Sequence, residues 1–182
     1  MTALSHLISI GVFGSSLPLE GSEAYEEARA VGREIARRGG RVVCGGGGGV
    51  MEAACRGAAE LGGTSLGVLF SGRGQGNRWL TERLAEPDLP ARLRRLREES
   101  QAWIFLPRGL GTLFEIACIA ESVVKGDVAP APCVFLGEFW RPTVEMALAE
   151  ASSAQGASAF RSCIRFSDSP ADAVAAAMRR EA

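Results

Sequence analysis

The chain has 182 residues, 47% of them apolar, which is the length of one domain with enough Val, Ile, Leu and Ala to bury a core, so a single domain over 1–182 is expected. Its 20 basic and 21 acidic residues leave a formal net charge of −1, far from the cationic footprint of a nucleic-acid binder. The start, MTALSHLISIGVFG, has no basic segment ahead of its apolar stretch, and no run approaches about 18 apolar residues; neither export nor membrane spanning is expected, and the expected location is the cytoplasm.

In chain order, LISIGVF (7–13) is expected as a strand, EAYEEARAVGREIARRG (23–39) as a helix, RVVCG (41–45) as a strand and GVMEAACRGAAELG (49–62) as a helix. TSLGVLF (64–70) is a strand, LPARLRRLREES (89–100) a helix, AWIFLP (102–107) a strand and GTLFEIACIAESVVKG (111–126) a helix. PCVFLG (132–137) is a strand, WRPTVEMALAEASS (140–153) a helix, SCIRF (162–166) a strand, and SPADAVAAAMRR (169–180) a final helix begun by Ser169, Pro170 and Asp172. Strands alternating with helices, with near-continuous apolar strands, imply a Rossmann-like doubly wound α/β fold. Its sheet is mostly parallel, of about six or seven strands, with helices on both faces. The glycine-rich stretch SGRGQGN (71–77) and its continuation to Pro90 are expected as a mobile cover.

Five cysteines (Cys44, Cys55, Cys118, Cys133, Cys163), odd in number and with no CxxC pair, read as reduced, mostly buried thiols. His6, the only histidine, precedes the first strand, which disfavours His-based triads and His-rich metal sites; no metal is expected. Lys125, the only lysine, stands before Gly126 at an expected helix end, which suits a helix C-terminus better than a Schiff base, so pyridoxal-phosphate chemistry is not expected.

Ligands of an open parallel sheet lie outside the carboxyl ends of its strands. Three loops fall there: Gly14-Ser15-Ser16, the five-glycine run Gly45 to Gly49, and Pro107 to Thr112. Gly46 and Gly47, like Gly109 and Gly111, let backbone approach an anion at a helix start, and Thr112 adds a hydroxyl. The bland alternatives are a tight turn at Gly45 to Gly49 and a capping box formed by Thr112 and Glu115. There is no GxGxxG after the first strand and no GxxxxGK[ST], which argues against dinucleotide and Walker-type ATP sites, and no cofactor is expected. Of the arginines in 89–100, Arg92 is near the helix start, from which its guanidinium is expected to reach back over the site; the alternative is a solvated helix.

The segments VFGSS, CGGGGGVMEAACRGA and FLPRGLGTLFE, in this order, resemble the LONELY GUY (LOG) family and its molybdenum-cofactor-carrier-like relatives, over about 8 to 178. The family pattern PGGxGTxxE lands on Pro107, Arg108, Gly109, Leu110, Gly111, Thr112 and Glu115. MHxRK lands on Leu89 to Leu93, where only Arg92 is kept. The resemblance implies hydrolysis of the N-glycosidic bond of a purine (AMP-like or cytokinin-type) nucleoside 5′-monophosphate to free base and ribose 5-phosphate. In it Glu115 is the catalytic carboxylate, and Arg92 orients Glu115 and holds the ribose phosphate. Gly109, Gly111 and Thr112 hold the phosphate, Ser15, Gly46, Gly47 and Met51 line the base and ribose side, and Arg108 either adds a cation or narrows the pocket. It further implies a homodimer with sites near the subunit interface. The alternatives are a non-catalytic binder or carrier of a phosphorylated cofactor, and a phosphoribohydrolase with a shifted substrate.

Overall fold

The computed structural model describes residues 7–179; His6 and the expected helix end at Arg180 lie outside the described residues. Among the described residues there are seven strands: β1 (Ser9–Phe13), β2 (Arg41–Cys44), β3 (Thr64–Phe70), β4 (Glu82–Glu86), β5 (Ala102–Phe105), β6 (Cys133–Leu136) and β7 (Ile164–Ser167). The helices are α1 (Glu23–Arg37), α2 (Val50–Glu60), α3 (Leu89–Glu98), α4 (Leu110–Lys125), α5 (Arg141–Ala149), α6 (Ala154–Cys163) and α7 (Pro170–Ala177). All neighbouring strands run parallel, in the order β4-β3-β2-β1-β5-β6-β7. The chain winds outward from β1 to β4, returns to β5 on the other side of β1, and continues to β7. The reversal between β1 and β5 opens a crevice at the carboxyl ends of these two strands.

β5 and β6 are apolar at every position, and β1 and β2 at every position after Ser9 and Arg41, because both of their faces are covered. Ile10, Val12, Val42, Cys44, Ile104 and Val134 share one core with α1, α2 and α7. The alternate positions Phe13, Val43, Trp103, Phe105 and Phe135 share the other with α3, α4, α5 and α6. On that second face Phe13, Phe105, Phe135 and Phe166 sit opposite one another in register on β1, β5, β6 and β7. Their ring centroids are 5.5, 4.9 and 5.3 Å apart, a ladder in which each pair adds about 0.5–1.5 kcal/mol beyond burial.

The Rossmann-like fold is as the sequence implies, and helix ends expected at Ser169 and Gly126 are present. The Ser169 side chain accepts from the Asp172 amide, and Gly126 ends α4 with a φ of 79°. Four of the five cysteines are buried and all five are free thiols. Two elements differ from expectation. The stretch expected as mobile cover contains β4, an exposed edge strand of sequence ERLAE paired with β3. Its entry is held by Thr81, whose Oγ1 accepts from the Ser65 amide at 2.8 Å and donates to the Ser65 carbonyl at 2.7 Å. Residues 154–163 form α6, capped by Ser153, so that Ser162 and Cys163 are helical and β7 begins at Ile164.

Candidate functional site

The reversal of the sheet brings the loops after β1, β2 and β5 together. Ser15, 7% exposed, is wedged between the other two: its carbonyl accepts from the Val50 amide at the start of α2 (3.0 Å), and its backbone abuts Gly109. A Cβ at Gly109 would come within 3.0 Å of the Thr112 Oγ1 and 3.2 Å of the Ser15 Cα, and the φ there is 103°. Glycine is therefore required at 109 both for its backbone conformation and for the closeness of the two loops.

Gly109 is also the N-cap of α4 and supplies no side-chain cap. The first helical bond is Leu113 N–H to the Gly109 carbonyl, and among the described residues no acceptor meets the amides of Leu110, Gly111 and Thr112. Thr112 is 2% exposed, yet its Oγ1 has no hydrogen-bond partner. The capping-box alternative is thus not formed: with Gly109 at the N-cap, Thr112 falls in the first turn and Glu115 in the second. A buried hydroxyl without a partner costs about 1–3 kcal/mol. Together with free amides at the positive end of a helix dipole, it makes a seat for an anion.

Arg92, at the start of α3, reaches back over β2 and β3. Its Nε donates to the Val68 carbonyl (2.7 Å) and one Nη to the Gly45 carbonyl (3.1 Å), with the Phe70 ring 4.8 Å from its Cζ. It packs so closely on the glycine run that a Cβ at Gly45 would land on the guanidinium. No ion pair joins Arg92 to Glu115 among the described residues; the arginine acts on the carboxylate through space and on the glycine run directly. The other side of that run is held by Asn77, whose amide side chain donates to the Gly47 carbonyl (3.0 Å) and the Gly46 carbonyl (3.3 Å). The Asn77 backbone N–H donates to the Gly46 carbonyl as well (2.8 Å). Met51, in the first turn of α2, lays its thioether along Gly45 and Gly47.

Glu115 lies one turn after Thr112 on the same face of α4. It is half-buried in a crevice between α3 and α4 lined by Phe13, Leu93, Leu96 and Ile119. Removal from water pushes its carboxyl up from the ordinary 4.5 to about 8, against the pull of the Arg92 charge. Burial also lowers the Arg92 guanidinium, opposed chiefly by Glu115.

Ser15, Gly46, Gly47, Met51, Gly109, Gly111, Thr112, Arg92 and Glu115 thus gather at the carboxyl ends of the strands. Arg108 departs from them: it is exposed, holds a φ of 72°, and places its guanidinium over Phe139, 5.4 Å from the ring centroid, in the turn after β6. Asn77, Phe70 and Phe139 carry no local sequence signal that singles them out, apart from the glycines that precede Asn77. A separate hollow, lined by Ser9, Arg41, Gln101, Pro132 and Arg165, lies at the opposite end of the sheet.

A family model described as the SLOG cluster4 family matches residues 7–125. An uncharacterized protein of Archaeoglobus fulgidus is 37% identical over 72% of this chain and 85% of its own length. A cytokinin riboside 5′-monophosphate phosphoribohydrolase of Rhodococcoides fascians is 32% identical over 74% of this chain and 71% of its own length. Among solved structures, the molybdenum cofactor carrier protein of Chlamydomonas reinhardtii superposes with a TM-score of 0.70 at 25% identity, covering 93% of this chain and 95% of that one. No helix among the described residues is long and apolar enough to cross a membrane. From the three interlocked loops to the matched span of sequence, the chain belongs to the SLOG cluster4 family, the LOG-like group its motifs resemble.

Proposed function

We propose that this protein cleaves the N-glycosidic bond of a purine nucleoside 5′-monophosphate, of AMP or cytokinin type, with water, releasing free base and ribose 5-phosphate. The observation that carries the reading is the pairing of an unsatisfied anion seat with an unpaired carboxyl on one helix face. The Thr112 hydroxyl and the amides of Leu110 to Thr112 lack partners, and Glu115 follows three residues later, with Cβ atoms about 5–6 Å apart at that spacing. A 5′-phosphate at the first leaves the ribose beside the second. As the bond from C1′ to the base nitrogen breaks, the base departs with the electron pair and that nitrogen takes a proton from solvent, to which Glu115 afterwards returns the proton it draws from water. Glu115, as carboxylate, faces the oxocarbenium-like ribose and takes a proton from the water that attacks C1′. Arg92 supplies the positive charge that draws the buried carboxyl toward its ionised form and fixes the Gly45 carbonyl beside the base and ribose side.

On this reading the enzyme works in the cytoplasm as a homodimer. The exposed apolar side chains on α4, Leu110 (83%) and Phe114 (47%), border the site and supply the face on which a second copy packs. Incubation with AMP and isopentenyladenosine monophosphate should release free base, and Glu115→Gln should lower kcat at least about 10²-fold. Below pH about 8, kcat/KM should rise with pH, following the ionisation of Glu115. If no base is released from any member of a nucleoside monophosphate panel, the reading fails.

One observation favours a second reading, that of a carrier: Arg92 is engaged by two backbone carbonyls and does not pair with Glu115. A protein that is purified with a phosphorylated cofactor bound, and turns over no nucleotide, would establish it.

A further inference from the structure

Arg108 is the only non-glycine residue among those described with a positive φ, 72°, a backbone region that side chains resist and glycine accepts. Its side chain makes no hydrogen bond and no ion pair among the described residues; its contact is the Phe139 ring, 5.4 Å from Cζ. The carboxylate in the same turn, Glu138, is already taken by Arg141 through a bond of 2.7 Å, so the Arg108 charge is unbalanced. Phe139 is 47% exposed but anchored. It meets Trp140 edge to face at 4.8 Å, and the Trp140 Nε1–H donates to the Leu106 carbonyl at 2.8 Å, tying the turn after β6 to the end of β5.

The position of this pair in the sheet separates it from the first seat. Ser15 follows β1 and Phe139 follows β6, and these strands flank β5 on opposite sides. The Arg108 guanidinium, held over Phe139, is therefore displaced from the start of α4 toward β6. A phosphate at α4 already has the Thr112 hydroxyl and three amides for its terminal oxygens. A guanidinium stacked on an aromatic ring keeps its edge N–H groups for a bidentate oxyanion. Resting on the reading that the start of α4 seats a 5′-phosphate, we propose that Arg108 and Phe139 form a second anion seat, and that this chain favours, over AMP itself, an AMP-type nucleotide that carries a further phosphate group.

The test is calorimetric titration of the full chain and of its Arg108→Gly and Phe139→Ala variants, with nucleotide titrations done on the Glu115→Gln background to prevent turnover. The probes form three pairs: pyrophosphate against phosphate, ADP against AMP, and adenosine 3′,5′-bisphosphate against AMP. The last two pairs distinguish a second phosphate joined to the first from one placed across the ribose. At least one pair should show a preference of tenfold or more for the member with two phosphate groups. That preference should fall below threefold in both variants, while affinity for the member with one phosphate stays within threefold.

Arg108→Gly should keep or raise the melting temperature, since glycine accepts the backbone at 108. The proposal is overturned if no pair shows a preference, if the preference survives Arg108→Gly, if that variant weakens both members equally, or if its main effect is a lower melting temperature or a changed oligomeric state. Failure of the hydrolase reading shows separately, as absence of base release. Failure of the first seat shows as phosphate affinity untouched by Thr112→Val.

Discussion

Thr112 spends its hydroxyl in a place where water does not reach and nothing accepts from it. Replacing it with the isosteric valine removes that penalty, so Thr112→Val should stabilise the empty protein by about 1 kcal/mol in urea denaturation. The same change should weaken inorganic phosphate at least tenfold by calorimetry. Opposite signs in the two measurements are the mark of a group kept for a ligand. Glu115 behaves likewise under pH. Its carboxyl is raised in the fold from the ordinary 4.5 to about 8, so between these values the folded protein binds more protons than the unfolded chain. The stability this group contributes is full below 4.5 and lost as pH rises through about 8. Glu115→Gln should therefore match the wild type in the protonated limit and exceed its stability at pH 9 by about 1–3 kcal/mol. At this scale the spacing of Thr112 and Glu115 was legible as two residues on one helix face, but read alone it suggested a capping box that is not formed, and their roles in the proposed chemistry come from the family resemblance. The sequence was not informative about the partners of Arg92, because backbone carbonyls at Gly45 and Val68 have no residue identity to read.

At the level of elements, the glycine run after β2 is shaped from outside. Arg92 from α3 and Asn77 from the loop before β4 grip its carbonyls from two sides. Asn77→Ala removes three side-chain hydrogen bonds, two to the glycine run and one from the Trp79 amide, and should lower stability by about 1–2 kcal/mol. It should also raise KM more than it lowers kcat, which steady-state kinetics on AMP would read, since it loosens a binding wall and leaves Glu115 in place. The alternation of strand and helix was legible because both faces of the central strands are buried, which makes Val42 to Cys44 and AWIF continuously apolar. The stretch that holds Asn77 and β4 was not. ERLAE is charged because it is an edge that must repel other edges, and its pairing with β3 depends on Thr81 and Ser65, 16 residues apart. Helix α6, AQGASAFRSC, was hidden by small residues that give no helical stripe.

For the molecule as a whole, the chain reversal between β1 and β5 decides where everything else converges. Ser15, the glycine run and the start of α4 come from segments up to about a hundred residues apart, yet the parallel order of the strands makes them neighbours. The same end of the molecule carries the exposed Leu110 and Phe114. If a second copy covers them, Leu110→Glu should convert the dimer to monomer in sedimentation velocity while leaving the circular dichroism spectrum unchanged. A wild-type monomer at micromolar concentration would contradict the dimer.

The phenylalanine ladder across β1, β5, β6 and β7 has a consequence for the history of such a chain. Because the four rings hold the strands in register from within the sheet, rim positions that do not lock one loop to another, unlike Gly109 and Asn77, can change without loosening it. A strained arginine at 108 is a small perturbation on such a platform. Changes of ligand can accumulate at the rim by single substitutions, each leaving a foldable intermediate, which is how one scaffold comes to serve relatives named as a hydrolase and as a carrier.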